Sequence, residues 1–273
     1  MSAADAGKRG WGPSSKRGAF SLTFDNFGEA ADLELGRFPE GQPIGQHFTA
    51  IEYLPKFLKL VEDVPVTYFI EAFNVAVYPQ QLKSIRDAGQ EVAMHAWRHE
   101  NWGKQDAGRR KDILKRSLDA YASIGISPKG FRPPGGVMTD EAVQEFLDCG
   151  LTYCSPLGEA GATGTKQGLA VFPFAWKHVD AYMLDPKLGA LRTAFGDPEA
   201  PIDRVQWQRV VDDAVSLALQ GRHVTLIFHP VLFGRDAVMT ETVQRLVAML
   251  KSERDLWVAS CAEVADWLRS NPH

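Results

Sequence analysis

The chain has 273 residues, of which 45% are hydrophobic and 23% charged, and its formal net charge is −4. This composition is typical of a globular protein with ample material for a core, and the slightly acidic balance excludes nucleic acid and anionic membranes as expected partners. Three cysteines are too sparse for a disulfide framework, and neither an export signal nor an apolar run of about 18 residues is found, so we expect a cytoplasmic protein.

Short apolar stretches alternate with amphipathic ones after residues 1–18, which we predict to be a flexible tail. The predicted strands are residues 19–24, 65–70, 91–94, 130–132, 153–154, 169–174, 223–228 and 256–259. The predicted helices are residues 51–61, 79–88, 107–123, 139–147, 204–219, 240–251 and 262–269. Residues 27–48 and 176–200 have the composition of long loops. This alternation indicates βαβ units, a mainly parallel sheet and a single domain over residues 19–273.

Polar residues follow the last apolar residue of four predicted strands. They are Asp25, His95, Arg132 and His229. In a closed α/β barrel, the carboxyl ends of all strands form one rim where such side chains meet. An open doubly wound sheet would concentrate them at one switch point instead. Their distribution therefore favours the barrel.

Two histidines, His95 and His99, lie four residues apart after the third strand. Alone they are more often surface or satisfied core residues, but a helical turn after the strand would let both imidazoles reach one point. With an oxygen ligand from Asp25 or Asn26, they would form a three-ligand site with an open position, as in catalytic zinc sites. Asp25 is placed to take a proton from an attacking water, and His229 to protonate a leaving group. The pattern predicts hydrolysis of an amide or a related C–N bond.

Four short motifs resemble, in the same order, those of the polysaccharide deacetylase superfamily, also known as the NodB-homology or carbohydrate esterase 4 superfamily. They are Thr23-Phe24-Asp25-Asn26, His95-x-x-x-His99, Arg132-Pro133-Pro134-Gly135 and Leu226-Ile227-Phe228-His229-Pro230. The resemblance covers roughly residues 19–260 and implies an α/β fold, a single distorted (β/α)7 barrel. It also implies Asp25 as general base, Arg132 as the residue that orients it, and His229 as general acid.

The same resemblance implies that His95 and His99 bind a divalent metal, commonly zinc, with Asn26 in the place of the third ligand. Most members of the family have an aspartate at that place. An asparagine carbonyl can coordinate a metal but brings no negative charge, so we expect weakened metal binding. A metal-independent or degenerate site is the alternative.

Residues 172–182 are similar to a segment of the family's intracellular branch, which includes allantoinase-like, cyclic-imide-hydrolase-like and atypical peptidoglycan deacetylase-like proteins. By that similarity, Trp176 and Asp180 contact the substrate, although a core aromatic cluster with a capping aspartate would look the same. Pro134 and His47 are two further expected substrate contacts. Proteins of this branch are often homo-oligomers, and we expect one here.

The expected function is metal-dependent removal of an acetyl or formyl group from an N-acylated small molecule or sugar derivative. Ring opening of a cyclic amide or imide by the same groups is the alternative. A barrel that has lost catalysis and serves as a binding protein is a third possibility, which Asn26 keeps open.

Overall fold

The computed structural model describes residues 10–271. Within this range, nine strands form one sheet. The strands are β1 (Gly18–Asp25), β2 (Val66–Ile70), β3 (Glu91–Met94), β4 (Gly130–Phe131), β5 (Tyr153–Cys154), β6 (Gly164–Lys166), β7 (Leu169–Val171), β8 (His223–Phe228) and β9 (Leu256–Val258). Their order is β6-β7-β5-β4-β3-β2-β1-β8, and β9 pairs with the first residues of β1. Only the pairing of β6 with β7 is antiparallel among these strands.

The sheet curls into the predicted distorted barrel. Every residue of β1 and of β8 is buried, as expected for central parallel strands covered on both faces. A parallel bridge between Val179 and Ile227 links the segment after β7 to β8, so the two ends of the sheet approach each other. The predicted α/β barrel fold is confirmed.

Twelve α-helices are described, and most of the longer ones match the predicted spans. They are α1 (Ala30–Glu34), α2 (Leu54–Leu60), α3 (Phe73–Val77), α4 (Pro79–Asp87), α5 (Ala107–Ser123), α6 (Asp140–Asp148), α7 (Asp180–Leu184), α8 (Gly189–Ala194), α9 (Arg204–Ala218), α10 (Pro230–Phe233), α11 (Ala237–Ser252) and α12 (Cys261–Ser270). None of the described helices is long and apolar enough to cross a membrane. The stretches 27–48 and 176–200, expected to be loops, contain the short helices α1, α7 and α8. Helices of one or two turns are too short to produce a readable apolar period.

The prediction of a flexible tail over residues 1–18 is wrong from residue 10 onward. Trp11 is only 3% exposed, and its indole N–H donates to the carbonyl of Gly221 at 2.9 Å. Its ring lies 5.2 Å from that of Trp267 in α12. The apolar area of one tryptophan thus holds this segment on the domain, whereas residues 1–9 lie outside the described range.

Candidate active site

The carboxyl ends of the strands bring the motif residues to one cleft of about 640 Å³. Asp25 ends β1, and the other residues lie directly after a strand or within its following turn. The motif residues that line the cleft are Asp25, Asn26, His95, His99, Arg132, Pro134 and His229. This is the rim geometry expected of a barrel, and the convergence predicted from the strand ends is confirmed.

A buried ion pair forms one side of the cleft floor. Arg132 Nη1 donates to Asp25 Oδ1 at 2.5 Å, and Arg132 is 1% exposed. The same Nη1 donates to Thr23 Oγ1 at 2.9 Å, and Nε and Nη2 donate to Ser155 Oγ at 3.2 and 3.1 Å. The guanidinium carbon lies 3.9 Å from the centroid of the Phe69 ring. Arg132 therefore has one position, in which it offsets the charge of Asp25 and occupies Oδ1.

The tautomer of His95 follows from its hydrogen bond. Its Nδ1 lies 2.7 Å from the carbonyl oxygen of Arg132, which can only accept, so Nδ1 carries the proton. Nε2 then has a free lone pair, and it lies 4.0 Å from Asp25 Oδ2. The ring of His99 is 4.8 Å from that of His95, centroid to centroid. Burial lowers the pKa of each of these imidazoles to about 3, so both are neutral, as a metal ligand must be.

The two imidazoles converge without the helical turn that the sequence suggested. Ala96 and His99 have left-handed backbone, with φ of 62° and 80°. One carboxylate oxygen of Glu100 accepts the backbone N–H groups of Trp97 and Arg98 at 3.1 and 2.8 Å and closes the turn. Left-handed backbone at non-glycine residues is strained and concentrates at functional sites. The tight turn brings His99 back towards the strand end.

Asn26 presents an amide oxygen that no group of the described protein satisfies. Its backbone is left-handed, with φ of 62°, and its Oδ1 is buried without a hydrogen-bond partner. No three His, Cys, Asp or Glu side chains of residues 10–271 are grouped so as to hold a metal ion. Asn26, His95 and His99 nevertheless line the same cleft, and an amide oxygen with two neutral imidazoles is a suitable donor set for a divalent cation. Asn26, His95 and His99 therefore fit the ligand set expected from the sequence.

Asp180 holds His229 through both of its carboxylate oxygens. His229 Nδ1 lies 2.5 Å from Asp180 Oδ1, and the backbone N–H of His229 donates to Oδ2 at 2.8 Å. Burial lowers the pKa of His229, but the charge and the hydrogen bond of Asp180 outweigh burial and hold this pKa above its ordinary value of 6.5. Because Nδ1 donates to the carboxylate, Nε2 is the atom available to the cleft.

Two of the four predicted substrate contacts line the cleft and two do not. Trp176 and Pro134 line it. Asp180 is fully buried behind His229, so its predicted contact with substrate is replaced by the contact with the imidazole. His47 lies outside the cleft lining, where its Nδ1 is 2.7 Å from Thr49 Oγ1 and its ring packs on Phe48. It packs the long loop onto the domain.

The sequence did not reveal the residues of the outer cleft walls or the serine that binds the guanidinium of Arg132. Leu35 and Arg37 at the end of α1 and Phe195 at the end of α8 line the cleft, but they lie in stretches without readable structure. Ser155, which accepts two hydrogen bonds from Arg132, follows β5 directly. The strand-end rule that identified the other residues would have found Ser155 as well.

Known proteins are similar to this chain, and the family match covers the first three of the four motifs. The polysaccharide deacetylase family model matches residues 15–154, more than half of the chain. A peptidoglycan deacetylase of Helicobacter pylori is 29% identical over 103 residues, 37% of this chain and 35% of that protein. The alignment thus spans about a third of this curated relative.

Two solved structures share the fold along nearly the whole chain. A Mycobacterium smegmatis protein described as a polysaccharide deacetylase superimposes with a TM-score of 0.79 at 22% identity, covering 96% of this chain and 93% of that one. An allantoinase superimposes with a TM-score of 0.76 at 16% identity, again covering 96% of this chain and 93% of that one. At these identities the likeness concerns the fold.

Proposed function

The chain belongs to the polysaccharide deacetylase family, and from that premise we propose that it hydrolyses a C–N bond other than a peptide bond. The substrate is an N-acetylated or N-formylated small molecule or sugar derivative. One observation carries the proposal. The same cleft holds a carboxylate paired with a buried arginine and an imidazole paired with a buried aspartate, which are the base and the acid that amide hydrolysis needs.

Asp25 supplies the base. Its Oδ1 is occupied by Arg132, while its Oδ2 faces the imidazole of His95 at 4.0 Å. Oδ2 is therefore the atom that accepts a proton from water as the water oxygen bonds to the acyl carbon. Arg132 holds the carboxylate of Asp25, and thereby Oδ2, in place. Its guanidinium makes four hydrogen bonds, to the side chains of Asp25, Thr23 and Ser155.

His229 supplies the acid. Asp180 accepts the proton on Nδ1, and its charge raises the pKa of the ring, which favours the form in which Nε2 also carries a proton. Nε2 donates this proton to the nitrogen as the C–N bond breaks. The products are a carboxylate and an amine, and the electron pair of the broken bond leaves with the nitrogen.

Asn26, His95 and His99 would hold the divalent cation, which by family resemblance is zinc. When bound, such a cation supplies Lewis-acid stabilisation of the negative charge that develops on the carbonyl oxygen. Asn26 contributes an oxygen without charge, so we propose weaker cation binding than an aspartate at this position would give.

Ring opening of a cyclic amide or imide is the second candidate. It requires the same base and acid. The C–N bond that breaks lies within the ring, so the nitrogen stays joined to the acyl carbon through the remaining ring atoms. The structural likeness to an allantoinase supports a fold compatible with this reaction.

A substrate panel with and without added zinc separates these functions. N-acetyl sugars, N-formyl amines and cyclic imides are compared for the wild type and for Asp25→Asn, with Asp203→Asn as a control. Asp203 is an exposed helix cap that asparagine replaces well. We expect turnover that Asp25→Asn abolishes and Asp203→Asn retains. Folded, zinc-loaded protein without Asp25-dependent turnover on the panel would instead support a non-catalytic binding protein.

A further inference from the structure

Apolar side chains surround the mouth of the cleft at high exposure. Eight large hydrophobic side chains are exposed in residues 10–271, and half of them line this cleft. The four are Leu35, Val137, Phe195 and Val231, which are 46%, 43%, 52% and 41% exposed. They come from four separate segments of the chain, so a run of apolar sequence does not explain their proximity. Clustered exposed apolar area of this kind marks a binding surface.

An aromatic wall runs from the floor of the cleft to its mouth. The ring of Trp176 lies 5.4 Å from that of Phe174 and is stacked 5.3 Å from that of Tyr182. At the outer end, the Phe195 ring is 5.9 Å from Trp176. Leu191 of α8 also lines this side of the cleft. The wall is continuous, and its outermost member is half exposed.

This wall is built on the same segments as the proposed acid. Asp180, which binds His229, lies in the chain between Trp176 and Tyr182. Val231 follows His229 by two residues and also lines the cleft. His229 delivers its proton to the departing nitrogen. A parallel bridge between Val179 and Ile227 also sets the wall segment beside β8, so the wall lies next to the residue that the departing nitrogen must meet.

We infer that the released amine carries an apolar group, an aryl ring or an alkyl chain, which binds between the wall formed by Phe174, Trp176, Tyr182, Leu191 and Phe195 and the side chain of Val231, which lines the same cleft. This inference rests on the proposed function and specifies its substrate class as N-acetylated or N-formylated aryl- and alkylamines. Water adds to the acyl carbon, the C–N bond breaks, and the nitrogen takes its proton from His229. The wall presents carbon surface to this group, whereas the hydroxyl groups of a sugar would need polar partners, which the cleft offers elsewhere, for example at Arg37 and Asn101.

A series of N-acetyl amines tests the inference. The amines are methylamine, butylamine, hexylamine, 2-phenylethylamine and glucosamine. We expect kcat/KM to increase about fourfold for each methylene that the wall covers, and the phenylethyl substrate to exceed N-acetylglucosamine. Phe195→Ala should reduce the ratio of kcat/KM for the phenylethyl over the methyl substrate by roughly tenfold.

A pair of exposed valines provides a matched control. Val231 lines the cleft, whereas Val238, 52% exposed, lies outside it in α11. We expect Val231→Ser to lower kcat/KM for the phenylethyl substrate about threefold or more and Val238→Ser to leave it unchanged. Equal effects of the two substitutions, or equal kcat/KM for the phenylethyl and sugar amides, would overturn the inference while the proposed function stands.

Two further measurements cover the remaining outcomes. If no amide is hydrolysed, the proposed function fails. Calorimetric titration with 2-phenylethylamine then tests whether the wall binds an apolar amine in the absence of turnover. Binding that Val231→Ser weakens and Val238→Ser does not would then support an apolar ligand at this wall, and no binding would overturn it. Sedimentation shows whether Val231→Ser, but not Val238→Ser, dissociates an oligomer. In that case the wall is a contact between copies of the chain and the inference is wrong.

Discussion

Replacing Asp180 by asparagine tests whether this aspartate acts through His229. The wild-type carboxylate accepts two donors of His229, the ring Nδ1–H at 2.5 Å and the backbone N–H at 2.8 Å. An asparagine offers one acceptor oxygen, and its NH2 group would face the second donor. Asp180→Asn thus loses one hydrogen bond to a charged acceptor and creates a contact between two donors.

The expected magnitudes follow from this geometry. One lost charge-assisted hydrogen bond costs roughly 1.5–3 kcal/mol of unfolding free energy. Loss of an effective general acid lowers kcat/KM by about 10²–10⁴-fold. The pH profile changes as well. Activity requires protonated His229, so it is present below the pKa of His229 and lost as the pH rises through it. Without the charge of Asp180, only the charge of Asp25 still opposes burial, so the pKa of His229 falls and the alkaline loss of activity moves to lower pH.

The assay is kcat/KM as a function of pH for the wild type, Asp180→Asn and the exposed control Asp203→Asn, together with urea unfolding of each. A large drop in kcat/KM with the alkaline limb at its wild-type pH would refute the role of Asp180 in setting the protonation of His229. A merely structural role would lower stability without moving the limb.

Three further predictions concern the floor and the core of the barrel. Asn26→Asp should strengthen zinc binding about tenfold by calorimetry, because it adds a charge to the ligand set, and unchanged affinity would show that Asn26 is no ligand. Glu71 is fully buried, which raises its pKa to about 8, so the folded protein holds a proton that the unfolded chain releases above pH 4.5. The free energy of unfolding therefore falls as the pH rises from 4.5 through 8. Urea unfolding at pH 5 and at pH 9 measures this loss, and Glu71→Gln should reduce it by roughly 3–4 kcal/mol. An equal loss in the wild type and in Glu71→Gln would contradict the prediction. Gly130→Ala should cost at least about 2 kcal/mol, because the new Cβ would overlap the ring of Tyr153. Gly164→Ala, with open space around its Cβ, is the control, and equal melting temperatures would contradict the steric argument.

The predictable part of the site is the part built on strand ends. Asp25, Arg132 and His229 each follow a buried apolar run, and the barrel topology requires such residues to meet at one rim. Their convergence therefore needed only the alternation of strands and helices. The helix predicted over about residues 107–123 has these bounds in the structure, because its apolar positions give a strong local signal.

The proximity of the two imidazoles was predicted correctly, but the backbone conformation of the turn that carries them was not. Four-residue spacing suggests a helical turn, but the structure uses left-handed backbone at Ala96 and His99, closed by Glu100. Nothing local in the sequence demands that conformation. It arises because the side chain of Glu100 accepts backbone N–H groups of the turn, while the N–H groups of Ala72 and Phe73 donate to the carbonyls of Ala96 and Trp97.

The sequence by itself determined the barrel, the order of its strands along the chain and the polar residues at their ends, since these depend on local periodicity and on the rules of parallel connection. Only the tertiary structure decided the partners of those residues and the walls around them. Asp180 and His229 are 49 residues apart in the chain, and Arg132 and Asp25 are 107 apart, so no local pattern records either contact. The cleft likewise brings together Trp176, Phe195 and Val231, from segments whose helices are too short to be recognised by their period. Long-range packing, which local propensity does not encode, sets both the acid–base pairs and the shape of the cleft.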